Sequence, residues 1–282
     1  MGDVKSMGRL YLCATPIGNM EDITLRVLRV LNEADAIYAE DTRHTLGLLN
    51  HYDIKKPLVS CHEHNENARA EEIVNRIIQG ERIVFVSDAG MPAISDPGEK
   101  LVSACIKNNV PFEVLPGASA SLCALVLSGM PTKNACFAGF LPRSGKERKE
   151  EIACLSKHKG AVIIYESPLR VSATLSELSK VWGERDVALV REITKHFEET
   201  VRGTLLSLSE KYSEIPPKGE CVIVVAPQNQ EEQASEQDID SYIEELLKSG
   251  MSVKDASKQA SVVFDIKKSD AYAKANELKL KL

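Results

Sequence analysis

Short apolar runs alternate with amphipathic segments through the first half of the chain. Helical spacing of apolar residues predicts helices over 66–79 and 98–108, and Thr24 is placed to cap a helix that carries Leu25, Leu28 and Leu31 on one stripe. The apolar runs predict five β-strands, at 9–14, 36–39, 57–61, 82–87 and 112–116. Strands separated by helices at this spacing predict a parallel α/β sheet.

A second set of strands begins near residue 133. Apolar runs predict these strands at 136–141, 161–166, 186–192, 198–203 and 220–226. The runs at 186–192 and 198–203 follow each other closely, so we expect a mixed sheet here. The pattern predicts an N-terminal α/β domain over 8–130 and a C-terminal mixed α/β domain over 133–227.

The end of the chain differs in composition from these two domains. Residues 228–240 are polar and acidic, without Gly, Pro, Lys or Arg, and predict a linker. Residues 241–282 have a helical pattern with small residues where helices would approach, and predict a helix-turn-helix-like module. The stretch 248–282 holds eight lysines against four acidic residues, a charge that could neutralise phosphates.

Composition narrows the class of protein. The chain has 282 residues, 43% of them hydrophobic, and contains no apolar run long enough for a membrane span. Its seven cysteines are scattered and form no CxxC pair, which favours reduced thiols in a cytoplasmic protein without a membrane partner. The net charge of −6 means that any nucleic-acid contact has to come from local basic patches.

Three unusual loops follow strands of the first predicted sheet. They contain Thr15-Pro16-Ile17-Gly18-Asn19, then the segment from Ser87 to Gly98, and then Pro116-Gly117-Ala118-Ser119-Ala120. Mixed Gly, Pro and small polar residues fix a backbone and let it approach a ligand closely. Any one of these loops could be an ordinary turn, but three after strands of one sheet favour a shared ligand cleft.

The standard nucleotide-binding and hydrolase motifs are absent from the sequence. It contains neither GxGxxG nor GxxxxGK[ST], and no GxSxG elbow. The predicted cleft is therefore not a common dinucleotide, P-loop or hydrolase site.

Seven motifs in order resemble the small-subunit rRNA methyltransferase I family of the tetrapyrrole methylase superfamily. They are LYLCATPIGNMEDITLRVL, AEDTRHT, FVSDAGMPAISDPG, VLPGASA, FAGFLPR, YESPLR and REITKHFEE. The resemblance implies two α/β domains with S-adenosyl-L-methionine in the cleft between them, a small C-terminal helical module, and a homodimer. It implies 2'-O-methylation of a cytidine in the decoding region of 16S rRNA in the small ribosomal subunit.

The resemblance also implies where the cofactor binds. By motif, the residues expected at the cofactor are Pro16, Ile17, Ser87, Asp88, Met91, Ser119, Ala120, Tyr165 and Ala226. Backbone groups bind much of the cofactor in this superfamily, which fits loops rich in small residues. We expect no metal.

Charged residues at strand ends are the candidates for catalysis, since a ribose hydroxyl is a weak nucleophile. We place Lys195 first, as base or as stabiliser of an alkoxide, Asp41 second, and Glu192 beside them. Basic residues near the motifs and in the tail are the candidates for RNA binding: Arg43, Arg143, Lys146, Arg148, Lys267 and Lys268. Two alternatives stay open, a corrin-type tetrapyrrole C-methyltransferase and a ribosome-binding factor without catalysis.

Overall fold

The computed structural model describes residues 7–228, 236–264 and 266–281. Contacts along the chain divide it into two compact units, a body that ends at Pro227 and a C-terminal unit that starts at Gln228. The body contains two separate five-stranded sheets.

The first sheet is entirely parallel, as the alternation of strands and helices predicts. Its strands pair in the order β3-β2-β4-β1-β5. They are β1 (Arg9–Cys13), β2 (Ala36–Ala39), β3 (Leu58–Ser60), β4 (Arg82–Val86) and β5 (Phe112–Leu115). All five predicted strands are confirmed within two residues at each end.

Helices cover both faces of this sheet. They are α1 (Leu25–Glu33), α2 (Thr42–His51), α3 (Glu66–Ile78) and α4 (Glu99–Lys107). One core packs α3 and α4 against the sheet and a second packs α1 and α2 against its other face. The predicted cap of α1 is present, because Thr24 Oγ1 accepts the N–H of Val27 over 3.1 Å.

The second sheet is mixed, as predicted. Its order is β6-β7-β10-β8-β9, with β6 parallel to β7 and the other pairs antiparallel. The strands are β6 (Cys136–Phe140), β7 (Val162–Glu166), β8 (Asp186–Arg191), β9 (Glu199–Thr204) and β10 (Cys221–Val225). The helices that accompany them are α5 (Ala120–Ser128), α6 (Gly145–Leu155), α7 (Val171–Trp182) and α8 (Leu205–Lys211).

Helix α5 connects the two halves of the body. It follows β5 directly in the chain and lies within the range predicted for the N-terminal domain. Its buried residues Ala124 and Leu125 nevertheless pack with Ile163, Val190 and Val222 of the second sheet. The chain therefore passes from one sheet to the other at the loop after β5, which places that loop between the two sheets.

The C-terminal unit consists, in its described part, of three helices. They are α9 (Glu236–Lys248), α10 (Val253–Val263) and α11 (Lys268–Lys281), around a core of Ile239, Ile243, Ala260, Ala275 and Leu278. Helix α9 begins inside the segment 228–240 predicted as a linker, and residues 229–235 of that segment lie outside the described residues. Across the described ranges, no helix is both long and apolar enough to cross a membrane.

Candidate active site

The three predicted ligand loops lie side by side. Strands β4, β1 and β5 are parallel neighbours, so the loops after them leave the sheet at the same edge. Two backbone hydrogen bonds join the first two loops. The N–H of Thr15 donates to the carbonyl of Gly90 over 2.9 Å, and the N–H of Gly90 donates to the carbonyl of Thr15 over 3.0 Å. The edge where open α/β sheets bind ligands is therefore built from these loops.

A cavity of about 340 Å³ lies between these loops and the second sheet. Five residues predicted at the cofactor line it: Ile17, Met91, Ser119, Ala120 and Tyr165. The full lining is Ile17, Ala89, Gly90, Met91, Ile94, Ser95, Asp96, Ser119, Ala120, Phe140, Tyr165, Glu166, Ser167, Pro168, Ile193, Gly219, Glu220, Cys221 and Val222. Its volume is in the range of small-molecule sites, roughly 300–1,000 Å³.

Three further residues predicted at the cofactor belong to the loops but not to the cavity lining. Pro16 precedes Ile17, and Ser87 is buried with its hydroxyl donating to the Ala89 carbonyl over 3.4 Å. Asp88 Oδ1 accepts the N–H of Asp41 over 3.0 Å. Ser87 and Asp88 thus stabilise the second loop through hydrogen bonds outside the cavity lining.

Ala226 lies away from the cavity. Strand β10 runs antiparallel to β7 and β8, so its first residue Cys221 pairs with Glu166, while its last residue Val225 pairs with Val162. The cavity meets β10 at Gly219–Val222, and Ala226 follows the opposite end. The predicted contribution of Ala226 to the cofactor site is corrected on this ground, because the direction of β10 places its start, and not its end, at the cavity.

Close packing explains the glycines of the loops. Gly90 has φ +75°, and a Cβ there would come 3.3 Å from Ile17 Cγ2. A Cβ on Gly117 would come 2.8 Å from the Cβ of Ala14, closer than real Cβ contacts allow. Small residues are therefore needed for the loops to pack on each other, and this leaves backbone groups at the cavity.

The second loop holds an unusual backbone conformation. Ala93 and Ser95 have φ values of +66° and +64°, which cost energy for residues with a Cβ. The buried carboxylate of Glu66 anchors the end of the loop, accepting the N–H groups of Gly98 over 2.8 Å and Lys100 over 3.0 Å. The sequence does not predict this role of Glu66, because its hydrogen-bond partners lie more than thirty residues away along the chain.

The charged side chains of the cavity lining are all carboxylates, from Asp96, Glu166 and Glu220. Burial raises the pKa of Asp96 to about 6, with a further contribution from the charge of Asp88 and an opposing one from a hydrogen bond with Ser87. Burial together with Asp96 and Asp88 also raises the pKa of Glu40 to about 6. Sequence reasoning marked the loop that contains Asp96 but not this carboxyl group, because its burial depends on the tertiary fold.

Lys195 lies in an ion-pair network at the margin of the cavity. Its Nζ is 3.0 Å from Glu192 Oε1 and 2.9 Å from Glu220 Oε2, and its side chain is 30% exposed. Burial acts to lower the pKa of Lys195, but its hydrogen bonds with Glu220 and Glu192 outweigh that effect and raise it. The amine is therefore a fixed cation at neutral pH, and is better suited to stabilising negative charge than to accepting a proton.

Two residues near Lys195 have left-handed backbone conformations, which are unusual for residues other than glycine. Glu192 and Thr194 have φ values of +52° and +65°. The Glu192 carboxylate also accepts the N–H of Glu220 over 3.0 Å. A Cβ on Gly18 would come 2.5 Å from Lys195 Cγ, so the first ligand loop packs directly on the lysine side chain. The structure thus places Lys195 against the first ligand loop, while neither Lys195 nor Glu192 belongs to the cavity lining.

Asp41 and Arg43 are each other's partners. Asp41 caps α2 by accepting the Arg43 N–H over 2.8 Å, and its Oδ2 pairs with Arg43 Nη2 over 2.8 Å. The hydrogen bonds from Arg43 lower the pKa of Asp41 to about 2. Such an acidic carboxyl group is a weak base, and Asp41 is not part of the cavity lining.

Arg148 is a buried structural residue, which corrects its prediction as an RNA contact. Its guanidinium donates to Glu177 Oε2 over 2.7 Å, to the Pro142 carbonyl over 2.9 Å and to Thr174 Oγ1 over 3.0 Å. These partners hold it inside the second half of the body, away from solvent.

The other predicted RNA contacts are exposed. Arg143 is exposed after β6, and Lys146 is exposed on α6 with Glu150 3.4 Å away. Lys267 and Lys268 are exposed in the C-terminal unit. Within the residues that the structure describes, no group of His, Cys, Asp or Glu side chains could hold a metal ion.

The family of this chain follows from its similarity to known proteins. Residues 9–209 match the family model of Tetrapyrrole (Corrin/Porphyrin) Methylases, so the chain belongs to this family. Solved structures share its fold. They include diphthine synthase (TM-score 0.61, 14% identity, 78% of this chain and 90% of that one) and cobalt precorrin-4 methyltransferase (TM-score 0.60, 19% identity, 77% and 94%).

Curated relatives within the family are similar over nearly the whole chain and carry the name ribosomal RNA small subunit methyltransferase I. The protein from Halalkalibacterium halodurans is 43% identical, with 94% of this chain and 93% of the relative covered. The protein from Bacillus subtilis is 40% identical over the same shares. The protein from Synechocystis is 39% identical, covering 96% of this chain and 99% of the relative.

Proposed function

We propose that this protein transfers a methyl group from S-adenosyl-L-methionine to the 2'-hydroxyl of a cytidine in the decoding region of 16S rRNA. The observation that carries the proposal is the likeness, near 40% identity over almost the whole chain, to proteins named ribosomal RNA small subunit methyltransferase I. The cavity supports binding of the cofactor, since it has the size of a cofactor site and small residues at its loops.

The cavity fits the cofactor in charge as well as in size. S-adenosyl-L-methionine supplies a methyl group on a cationic sulfonium, and it also carries an ammonium group. The Asp96 carboxylate gives the cavity the opposite charge, whereas Glu166 and Glu220 are paired with Arg170 and Lys195. Ile17, Met91, Ser119, Ala120 and Tyr165 would form its walls.

Lys195 would act on the acceptor hydroxyl. Its ammonium group is held by Glu192 and Glu220 at the margin of the cavity, where it would donate a hydrogen bond to the acceptor oxygen. The positive charge would stabilise the negative charge that develops on this oxygen as its proton leaves to solvent water and the oxygen bonds to the methyl carbon. Glu192 would position the lysine, while Asp41 is the weaker candidate because Arg43 engages its carboxylate.

Several expectations about partners follow from an rRNA substrate. We expect the small ribosomal subunit as the partner, which implies a cytoplasmic protein. Arg43, Arg143, Lys146, Lys267 and Lys268 remain the candidates for phosphate contacts.

A homodimer remains the expected assembly. Leu122 and Val126 support it, since both are exposed on α5 one helical turn apart and form an apolar surface that a second copy could cover. Light scattering coupled to gel filtration should give twice the 31.0 kDa mass of the chain. A monomer at micromolar concentration would contradict this assembly.

Reconstitution with purified components tests the proposed reaction. Small ribosomal subunits from cells lacking the protein are incubated with the enzyme and methyl-labelled S-adenosyl-L-methionine. We expect label in 16S rRNA at a single cytidine ribose. Label in a corrinoid precursor would favour a tetrapyrrole C-methyltransferase, and subunit binding without transfer would favour a non-catalytic ribosome-binding factor.

A further inference from the structure

Phe140 is an exposed aromatic residue at the wall of the cavity. It is 60% exposed and ends β6, an edge strand of the second sheet. Ile94, from the second ligand loop, is 48% exposed and also lines the cavity. The two side chains form an apolar surface at the cavity that the fold itself leaves open to solvent.

A β-bulge sets the direction of Phe140. The register between β6 and β7 shifts between Phe137 and Gly139, and Gly139 has φ +65°. In a regular strand, residues three apart point to opposite faces. Here both Phe137 and Phe140 pack edge-on against Tyr165, with ring centroids 4.8 and 5.5 Å away. The bulge therefore turns Phe140 to the cavity side of the strand, as bulges near active sites often do.

The bulge also fits closely against the second ligand loop. A Cβ on Gly139 would come 3.0 Å from Ser95 Oγ. Ser95 lies beside Ile94 and has the unusual φ of +64° described above. Two separate backbone irregularities thus meet where Phe140 reaches the cavity. Glycine adopts its positive φ readily at position 139, while the conformation of Ser95 has an energetic cost.

We propose that Phe140 stacks on the base of the nucleotide that is methylated. This inference rests on the proposed function, since it takes an RNA ribose as the acceptor. The base is bonded to C1', next to the C2' whose hydroxyl reacts, so it has to lie near the cavity whenever the ribose is inside. Unpaired bases in single-stranded RNA are commonly bound by stacking on aromatic side chains. The exposed part of the Phe140 ring offers such a surface, and Tyr165 packs against the ring in a T-shaped arrangement.

Three variants of Phe140 test the stacking. Phe140→Trp keeps an aromatic face, Phe140→Leu keeps apolar bulk without one, and Phe140→Ala removes both. We expect kcat/KM for small subunits to fall about 10- to 100-fold in the Leu and Ala variants, mainly through KM, and to be retained in the Trp variant. Affinity for S-adenosyl-L-methionine, measured by calorimetry, should fall much less than kcat/KM does in the Leu variant, which keeps apolar bulk at the cavity wall.

The matched control is Ile106→Ala on α4, which removes an apolar side chain of similar exposure, 62%, outside the cavity lining. It should leave kcat/KM unchanged. Full activity of Phe140→Leu would overturn the stacking, and loss of cofactor affinity in Phe140→Leu at an unchanged melting temperature would assign the ring to the cofactor instead. If Phe140→Ala does not fold, the difference in kcat/KM between Phe140→Leu and Phe140→Trp still tests whether stacking on an aromatic ring is needed. Absence of methyl transfer to rRNA by the wild type would instead count against the proposed function.

Discussion

At the scale of single residues, the charge on Lys195 has the clearest mechanistic consequence. Two carboxylates hold the amine protonated beside the first ligand loop. We predict that Lys195→Ala lowers kcat by ~10²–10⁴-fold, because the developing charge on the acceptor oxygen loses its partner. Cofactor affinity should not fall, since a cation does not attract a sulfonium.

Single-turnover methylation and calorimetry measure the two effects of this substitution separately. Lys107→Ala, at the exposed end of α4, is the control and should behave as the wild type. Near-normal turnover of Lys195→Ala would remove Lys195 from the mechanism and leave Asp41 as the candidate.

The raised pKa of Asp96 makes the stability of the cofactor-free protein depend on pH. Its pKa is raised to about 6 by burial, so the folded protein binds a proton more tightly than the unfolded chain does. The resulting stabilisation is present below the unfolded pKa, near 4, and is lost as pH rises through about 6. We predict that Asp96→Asn raises the melting temperature at pH 7.5 and that this advantage shrinks toward pH 4.

The same substitution should weaken binding of S-adenosyl-L-methionine at pH 7.5, because one of the cavity carboxylates is lost. A variant that melts at the wild-type temperature at pH 7.5 would show that the carboxylate is not desolvated. A variant that binds the cofactor as tightly as the wild type would show that Asp96 does not attract it.

At the scale of elements, Arg148 joins α6 to α7 from inside the body. Its removal leaves the Pro142 carbonyl with only the longer hydrogen bond from Arg170, 3.5 Å, and takes the Arg148 partner from Thr174 and Glu177. We predict that Arg148→Ala lowers the free energy of unfolding by ~1–3 kcal/mol, as measured by urea denaturation. Lys146→Ala, on the exposed side of the same helix, should change it by less than about 0.5 kcal/mol. Unchanged stability with weakened RNA binding would restore Arg148 to the RNA-binding residues.

The elements differ in how well their sequences predict them. The strands are continuous apolar runs of the kind found in buried sheets, so their positions follow from local sequence. Helix α5 carries apolar residues on most sides. One face packs on the second sheet, and a different face exposes the apolar residues Leu122 and Val126. Helical periodicity is weak in such a segment, and the pattern of the sequence does not predict it.

The parts of the site that depend on tertiary contacts could not be predicted locally. The loops after β1, β4 and β5 are visible in the sequence as clusters of Gly, Pro and small residues. The direction of β10 is not encoded in its own residues, so the sequence alone does not show that Ala226 follows the end of β10 away from the cavity. The burial of Arg148 depends on Thr174 and Glu177, more than twenty-five residues away, and the close approach of Ser95 to Gly139 joins positions more than forty residues apart.

At the scale of the whole molecule, the boundary at Pro227 separates two compact units. Every cavity residue lies in the first unit, and the lysine-rich stretch lies in the second. We predict that a chain ending at Pro227 binds cofactor normally but methylates small subunits poorly. Lost phosphate contacts should make RNA binding weaker and less dependent on salt, without changing which nucleotide is methylated.

Thermal melting distinguishes this role of the C-terminal unit from a structural one. An unchanged melting temperature together with weaker RNA binding supports recognition by the C-terminal unit. A large drop in melting temperature, with normal methylation by the protein that remains folded, would make the unit structural.

The nucleosides of 16S rRNA show directly whether the protein methylates a cytidine ribose in cells. Small subunits from cells lacking the protein are digested and analysed by mass spectrometry, beside cells that carry the wild type or Lys195→Ala. We expect that one 2'-O-methylcytidine disappears without the protein, returns with the wild type and stays absent with Lys195→Ala. An unchanged amount of 2'-O-methylcytidine in cells lacking the protein would contradict it.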